Sequence, residues 1–383
     1  MESKSNDLRI KQMLNVYANE INLGSAGKSI RWLKNTLPWQ NFNLEEELPQ
    51  FRKKLSGSFD GRDDLSTVEK KFNSLQSLVP LDSLIELSES SIGKPHSFKI
   101  ISKRGDEVCV DGNDLTLIYF ATRIAGFWQN THQDPPARIL DIGGGYGGLA
   151  AKLAKIFPSA KITLIDSPEG NLLQRFYLHT VFSDIETKFD TQQSETASIF
   201  DTKFSIIPIR QFELLYEVEW DLVINTRSMQ EMNPEDVASY FDMIQNKLHV
   251  GGIFFNANQL VGGAAGMPYH ISRSPYDNFW ALLSANPNLI QADNFEICTL
   301  RLDFENQLLR KYLKTLPTNN IWRSGLWAYR RKPLMLVDQL GASYLPKIWL
   351  PLKEMTRFFR QKSIEKKYKK VQKFLVNYLK FSK

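Results

Sequence analysis

The sequence predicts an α/β protein: a doubly wound parallel sheet, preceded by a mainly helical N-terminal domain and followed by a basic amphipathic C-terminal helix. Three observations carry this. From residue 113 to 335 short apolar runs alternate with amphipathic helical patterns, which describes parallel strands covered on both faces. Before that region apolar residues recur at three- and four-residue spacing. After it, twelve Lys and Arg between Lys347 and Lys383 face only Glu354 and Glu365. The boundaries 1–112, 113–335 and 336–383 follow, and 383 residues at ~150 per domain agree with two or three domains.

Residues 1 to about 95 read as helical, with EEELPQFRKKL and STVEKKFNSLQSLV placing apolar residues on one face. Two alternating runs, SFKIIS and EVCVD, flank KRGD and predict a hairpin near 97–111. Asn113 and Asp114 offer a cap for a helix whose Leu117, Phe120, Ile124 and Trp128 share a face. The prolines of THQDPPA end it, because proline lacks an N–H donor and biases its predecessor to extended backbone. A strand in ARILDIG, a helix in GGLAAKLAKIF, a strand in KITLID and a helix in PEGNLLQRFYLHTVF come next. KFSIIPI, WDLVIN and GIFFNAN supply three more strands, with PEDVASYFDMIQNKL a helix between the last two. FEICTLRL and GLWAYRR are candidates for two further edge strands.

Composition narrows the class. With 42% hydrophobic and 23% charged residues the chain is an ordinary globular one, and no period of 20 to 50 residues marks a solenoid or propeller. Cys109 and Cys298 are too few for a disulfide framework or a cysteine-built zinc site, which points to a reducing cytoplasm. The first twenty residues lack the apolar core of a signal peptide, and no run reaches the ~18–20 apolar residues of a membrane span. Net charge is +6, but the last 37 residues carry +10, so the body is mildly acidic and no nucleic-acid partner is expected.

The chemistry centres on ARILDIGGGYGGLA, which puts Asp141 at the end of the first strand and Gly143, Gly144, Gly145, Gly147 and Gly148 in the turn after it. Glycines let the backbone approach a ligand at the crevice where open α/β sheets bind nucleotides. The competing reading is a turn needed only for tight strand-to-helix packing. Asp141 separates two nucleotide classes. A pyrophosphate would be repelled by a carboxylate just before the loop, whereas the sulfonium and amino groups of S-adenosylmethionine suit it. Asp166, ending the second strand, is placed to accept ribose hydroxyls, a role common to both classes.

DIGGGYGGLA, followed by LIDSPEGNLLQRFYL and WDLVINTRSMQEM, resembles the class I S-adenosylmethionine-dependent methyltransferases, which have a Rossmann-like sheet. Within them it resembles the bacterial sugar O-methyltransferases of polysaccharide biosynthesis. The resemblance spans about residues 113–335. It implies S-adenosylmethionine as cofactor and a sugar or glycan-precursor hydroxyl as acceptor. The cofactor-side set is then Asp141, Gly143, Gly145, Tyr146, Asp166, Ser167 and Asn225. No catalytic base is fixed by a motif of that branch.

Candidates for the base come from the residues themselves. Glu231, after the fourth strand, is either a general base for a hydroxyl or an acid at the start of the next helix. In NQLVGGAAGMPYHISRSPYDNFW, Gly262, Gly263 and Gly266 suit hinges, and Tyr269, Tyr276 and Trp280 suit a pyranose ring. His270 has an ordinary pKa of ~6.5, right for proton removal near neutrality, although a lone histidine is commonly structural. Arg227 and Arg273 offer forked donors for an acidic or phosphorylated sugar. Asn225, Glu231, Asn256 and Asp277 match no metal motif, and no metal is expected.

The tail from Lys353 mixes Phe358, Phe359, Ile364, Tyr368, Val371, Phe374 and Leu375 with lysines. Such a helix lies on an anionic membrane, holds a partner, or packs on the body with a solvated face. The expectation is a cytoplasmic enzyme, peripheral to the inner membrane face if the tail serves as an anchor. Alternatives are a methyltransferase of another natural product and a non-catalytic S-adenosylmethionine-binding module.

Overall fold

The computed structural model describes residues 11, 13–18, 43–54, 63–89, 91–183, 199–259, 261–264, 267–291, 294–314 and 316. Met1–Leu313 pack as one unit, and Lys314–Lys383 form a second. GLWAYRR and the basic tail lie outside the described residues.

Helical turns at Leu44–Glu47 and Phe51–Lys54 lead to α1 (Leu65–Leu75) and α2 (Leu81–Leu87). Asp64 caps α1 by accepting from the Thr67 N–H at 2.7 Å. Val68, Phe72 and Leu75 then fall on one buried stripe, as the spacing requires. The predicted hairpin forms as β1 (Phe98–Ile101) and β2 (Glu107–Val110), paired antiparallel.

The twenty-residue α3 (Gly112–Thr131) is buried on nearly every side, because it lies between α1, the next helix and the sheet. Phe120 and Phe127 both touch Phe255 of the sheet. Its cap is Asp111, not Asn113 or Asp114 as the sequence suggests. The Asp111 carboxylate accepts the N–H groups of both residues, at 3.0 and 2.9 Å. Asp114, freed from capping, pairs with Lys152 at 2.6 Å with both side chains fully buried.

Seven strands make the main sheet: β3 (Arg138–Ile142), β4 (Lys161–Asp166), β5 (Phe204–Pro208), β6 (Trp220–Thr226), β7 (Leu248–Gln259), β10 (Trp280–Pro287) and β11 (Asn294–Arg301). Their order is β5-β4-β3-β6-β7-β11-β10. The first five run parallel, and β11 and β10 add antiparallel pairs. Helices α4 (Gly148–Ile156), α5 (Pro168–Val181) and α6 (Pro234–Lys247) follow β3, β4 and β6. The chain leaves β3 toward β5 and returns to β6 on the opposite flank. The reversal between β3 and β6 is the switch point outside which ligands of doubly wound sheets bind.

At the other end of these strands Asp221 clips the sheet. One carboxylate oxygen accepts the Ala137 and Arg138 N–H groups, both at 2.7 Å, and the other lies 2.6 Å from His249 Nε2. His249 Nδ1 is 2.8 Å from the Val250 carbonyl, so only the doubly protonated ring satisfies both acceptors.

Two elements differ from the sequence reading. WALLSANP, to which the sequence pattern assigns no element, is edge strand β10; its Ala and Leu favour helix, and pairing with β11 overrides that preference. The glycine-rich stretch contains a hairpin of β8 (Val261–Ala264) and β9 (Met267–His270). Gly262 and Gly263 are therefore ladder residues rather than hinges, and Gly266 lies outside the described residues. Tyr276 and Trp280 are not sugar platforms. Trp280 is 0% exposed, and both rings close a core cluster with Phe254, where aromatic area is worth most. The Tyr269 side chain lies outside the described residues.

The helical cover is joined to the sheet and its helices by buried charge. Arg52 donates to Asp111 at 2.6 Å, both fully buried. Lys152, besides Asp114, donates to the Leu87 carbonyl at 2.8 Å. Lys155 and Tyr177 both bind Glu89, at 2.7 and 2.6 Å. Ions removed from water in this way need complete partnering, and losing one member of such a pair typically costs ~3–5 kcal/mol.

Candidate functional site

The site is built where β3, β4, β6 and β7 end. Register places Asp141 beside Leu164 and Ile224, and Ile142 beside Asn225, which in turn neighbours Asn256. Gly143 leaves β3 with φ +69°, and Gly145 follows with φ +61°, a left-handed backbone that L side chains rarely adopt. Space reinforces this at Gly143, where a Cβ would collide with the Ser228 hydroxyl.

Asp141 is 1% exposed, and neither carboxylate oxygen has a hydrogen-bond partner among the described residues. Burial first, and the Asp166 charge second, push its pKa up to about 7. A buried carboxylate without a partner beside a glycine loop at the switch point has the chemistry to receive a cationic or donor-rich ligand. Asp166 is differently held. It accepts from the Gly145 N–H at 2.9 Å, the Ser167 N–H at 2.7 Å and Gln174 Nε2 at 3.2 Å. Burial nonetheless raises it to about 7, against the pull of those backbone bonds.

Three predicted residues make structural contacts of their own. Tyr146 is buried in an aromatic joint, edge-on to Tyr177 at 4.7 Å and under the Arg52 guanidinium at 5.1 Å. Its ring thus supports the loop from behind. Ser167 caps α5, accepting the Gly170 N–H at 3.3 Å. Asn225 is fully buried: its Nδ2 donates to the Ile142 carbonyl at 2.9 Å, and its Oδ1 accepts from the Met229 N–H and Asn258 Nδ2. It braces the strand ends and does not project a free amide at a ligand.

That bracing continues as an amide ladder the sequence reading missed. Asn258 Nδ2 also donates to Asn256 Oδ1 at 2.6 Å, Asn258 Oδ1 accepts the Gln230 N–H at 3.1 Å, and Gln230 Oε1 accepts the Gln259 N–H at 2.7 Å. Asn256 and Asn258, two apart on a strand, share a face with each other. That spacing was the available signal. Gln174, which holds Asp166 and the Gly145 carbonyl, gave no comparable signal.

The ladder fixes the 3₁₀ turn Met229–Glu231, on which the β8–β9 hairpin packs. Glu231, half-buried at the end of that turn, and His270, closing β9, are therefore brought to neighbouring elements. His270 is 7% exposed, and its Nδ1 has no partner among the described residues. Burial, with the Arg273 charge, lowers its pKa, which favours the neutral ring, able to accept a proton though a weaker base than a free imidazole. Among the described residues no cluster of three His, Cys, Asp or Glu can hold a metal ion, and no helix is long and apolar enough to cross a membrane.

No protein-family model and no curated protein sequence matches the chain. Solved structures overlap it in part. The mitomycin 7-O-methyltransferase MmcR matches at 15% identity over 49% of this chain and 55% of its own, with TM-score 0.34. An O-methyltransferase family protein from Burkholderia thailandensis matches at 11% over 50% and 59%, with TM-score 0.37. Human N-acetylserotonin methyltransferase, solved with SAM, matches at 14% over 49% and 53%, with TM-score 0.31. The chain thus spans between half and three-fifths of each. Overlaps this partial do not bear on reaction or substrate.

Proposed function

We propose that this chain is an S-adenosylmethionine-dependent methyltransferase whose acceptor is a hydroxyl of a sugar or glycan precursor. The observation that carries the donor is Asp141, a buried carboxylate beside the glycine loop with neither oxygen partnered among the described residues. The residues present fit the group: Asp141 for its cationic end, Asp166 for its ribose hydroxyls, and the Gly143–Gly145 backbone for close approach. When bound, S-adenosylmethionine supplies a methyl already activated by its sulfonium. The chain's task is then alignment and exclusion of water. His270 takes the hydroxyl proton, and Glu231 orients the acceptor through its neighbouring hydroxyls. The sugar class rests on the resemblance of GGYGG, IDSPE and NTRSMQEM, since Tyr276 and Trp280 belong to the core.

Calorimetry of the full chain tests the donor: S-adenosylmethionine and S-adenosylhomocysteine should bind and NAD should not. NAD binding alone would end the methyltransferase reading. Mass spectrometry of surface glycans from cells with and without the protein tests the acceptor. The loss of one CH₂ per modified residue supports it, and unchanged glycans with methylation elsewhere reject it.

A further inference from the structure

Asn113 stands where the helical cover, the glycine loop and the segment after β6 meet. Its backbone is fixed by Asp111, which accepts its N–H, the Asp114 N–H and the Arg52 guanidinium in one buried knot. The side chain is buried. Asn113 Nδ2 donates to the Tyr146 hydroxyl at 3.2 Å, and Arg227 donates to Asn113 Oδ1, also at 3.2 Å. Tyr146 lies within the glycine loop. Arg227 directly follows β6, with φ +62°, unusual for a residue with a side chain, and its N–H is tied to the Ala257 carbonyl at 2.7 Å.

The chemistry of the amide matters here. A side chain that donates to a phenol oxygen while accepting from a guanidinium needs both functions at opposite atoms. Asn113 meets this with Nδ2 toward the phenol and Oδ1 toward the guanidinium. We propose that Asn113 is a positioning residue that couples the glycine loop to the segment after β6, setting the spacing between the donor wall and the acceptor wall. The contacts span 33 and 114 positions in sequence. The coupling is a property of the apo chain; its role in methyl transfer rests on the donor reading above.

Hydrogen exchange of the full chain, followed by mass spectrometry, tests it without an acceptor. Asn113→Ala should speed amide exchange about fivefold in both 143–148 and 226–231, the effect of one ordinary buried hydrogen bond at each end. Tyr146→Phe, which removes only a hydroxyl, should speed 226–231 as well, and should add nothing there when Asn113 is already alanine. A purely local role for Tyr146 would leave 226–231 unchanged, and that result overturns the proposal. A second arm adds S-adenosylhomocysteine to the wild type. Slower exchange at 143–148 supports the donor reading, and unchanged exchange rejects that reading while the apo comparison still decides the bridge.

Discussion

Asp141 makes opposite demands on folding and on binding. Its carboxyl titrates near pH 7 in the folded chain against an ordinary value of 3.8. The folded state therefore holds the extra proton between those values, and stability falls as pH rises toward 7. Binding of a cationic donor runs the other way, because it needs the ionised form. Affinity for S-adenosylmethionine should accordingly rise between pH 6 and 8, and calorimetry across that range checks it. Asp141→Asn should flatten the profile and weaken binding by at least tenfold, while raising the apo melting temperature above pH 7 by on the order of a few degrees. A variant as tight and as pH-dependent as the wild type would show that the carboxylate faces no ligand.

Among elements, the strand-turn-helix units were legible in sequence and the joints between them were not. DIGGG announces a tight turn after a buried strand because the residues concerned are consecutive. Asn225, Asn256 and Asn258 come together only once β6 and β7 are in register, and Asn113 meets Arg227 only when the helical cover is in place. β10 was missed because its residues prefer helix and the pairing partner alone makes it a strand. The Asp221–His249 clip was equally hidden, and it predicts a pH dependence at the far end of the sheet. The bond to Asp221, only partly offset by burial, raises the His249 pKa above 6.5. Its contribution should be fully present below that value and lost as pH rises through the raised one. Unfolding midpoints of wild type and His249→Asn should thus differ most at pH 6 and converge in alkaline buffer. A gap independent of pH would mean that the ring contributes by packing alone.

For the whole molecule, the compact unit ending at Leu313 holds every residue proposed for donor and acceptor. A chain ending at Leu352, without the lysine-rich tail, should keep its affinity for S-adenosylmethionine. Any attachment of the full-length protein to anionic vesicles should weaken with salt and disappear on truncation, as vesicle sedimentation of both forms would read. Loss of donor binding on truncation would make the tail part of the fold, and full-length protein that ignores vesicles would leave a protein partner as its role.

The buried pairs Arg52–Asp111 and Asp114–Lys152 also bear on how this architecture can be recombined. Arg52 belongs to the helical cover, Asp111 and Asp114 sit at the start of α3, and Lys152 lies on the helix behind the glycine loop. Exchanging the cover for that of another protein would leave a desolvated charge stranded at the seam, unless the members of each pair travel together or are replaced together by apolar ones. A crossover between residues 54 and 111 separates Arg52 from its partner, and one between 114 and 152 separates the second pair. Both pairs survive only a break before Arg52, in the short gap between Asp111 and Asp114, or after Lys152, so residues 52–111 and 114–152 travel as two hereditary blocks although together they span the boundary between two kinds of architecture.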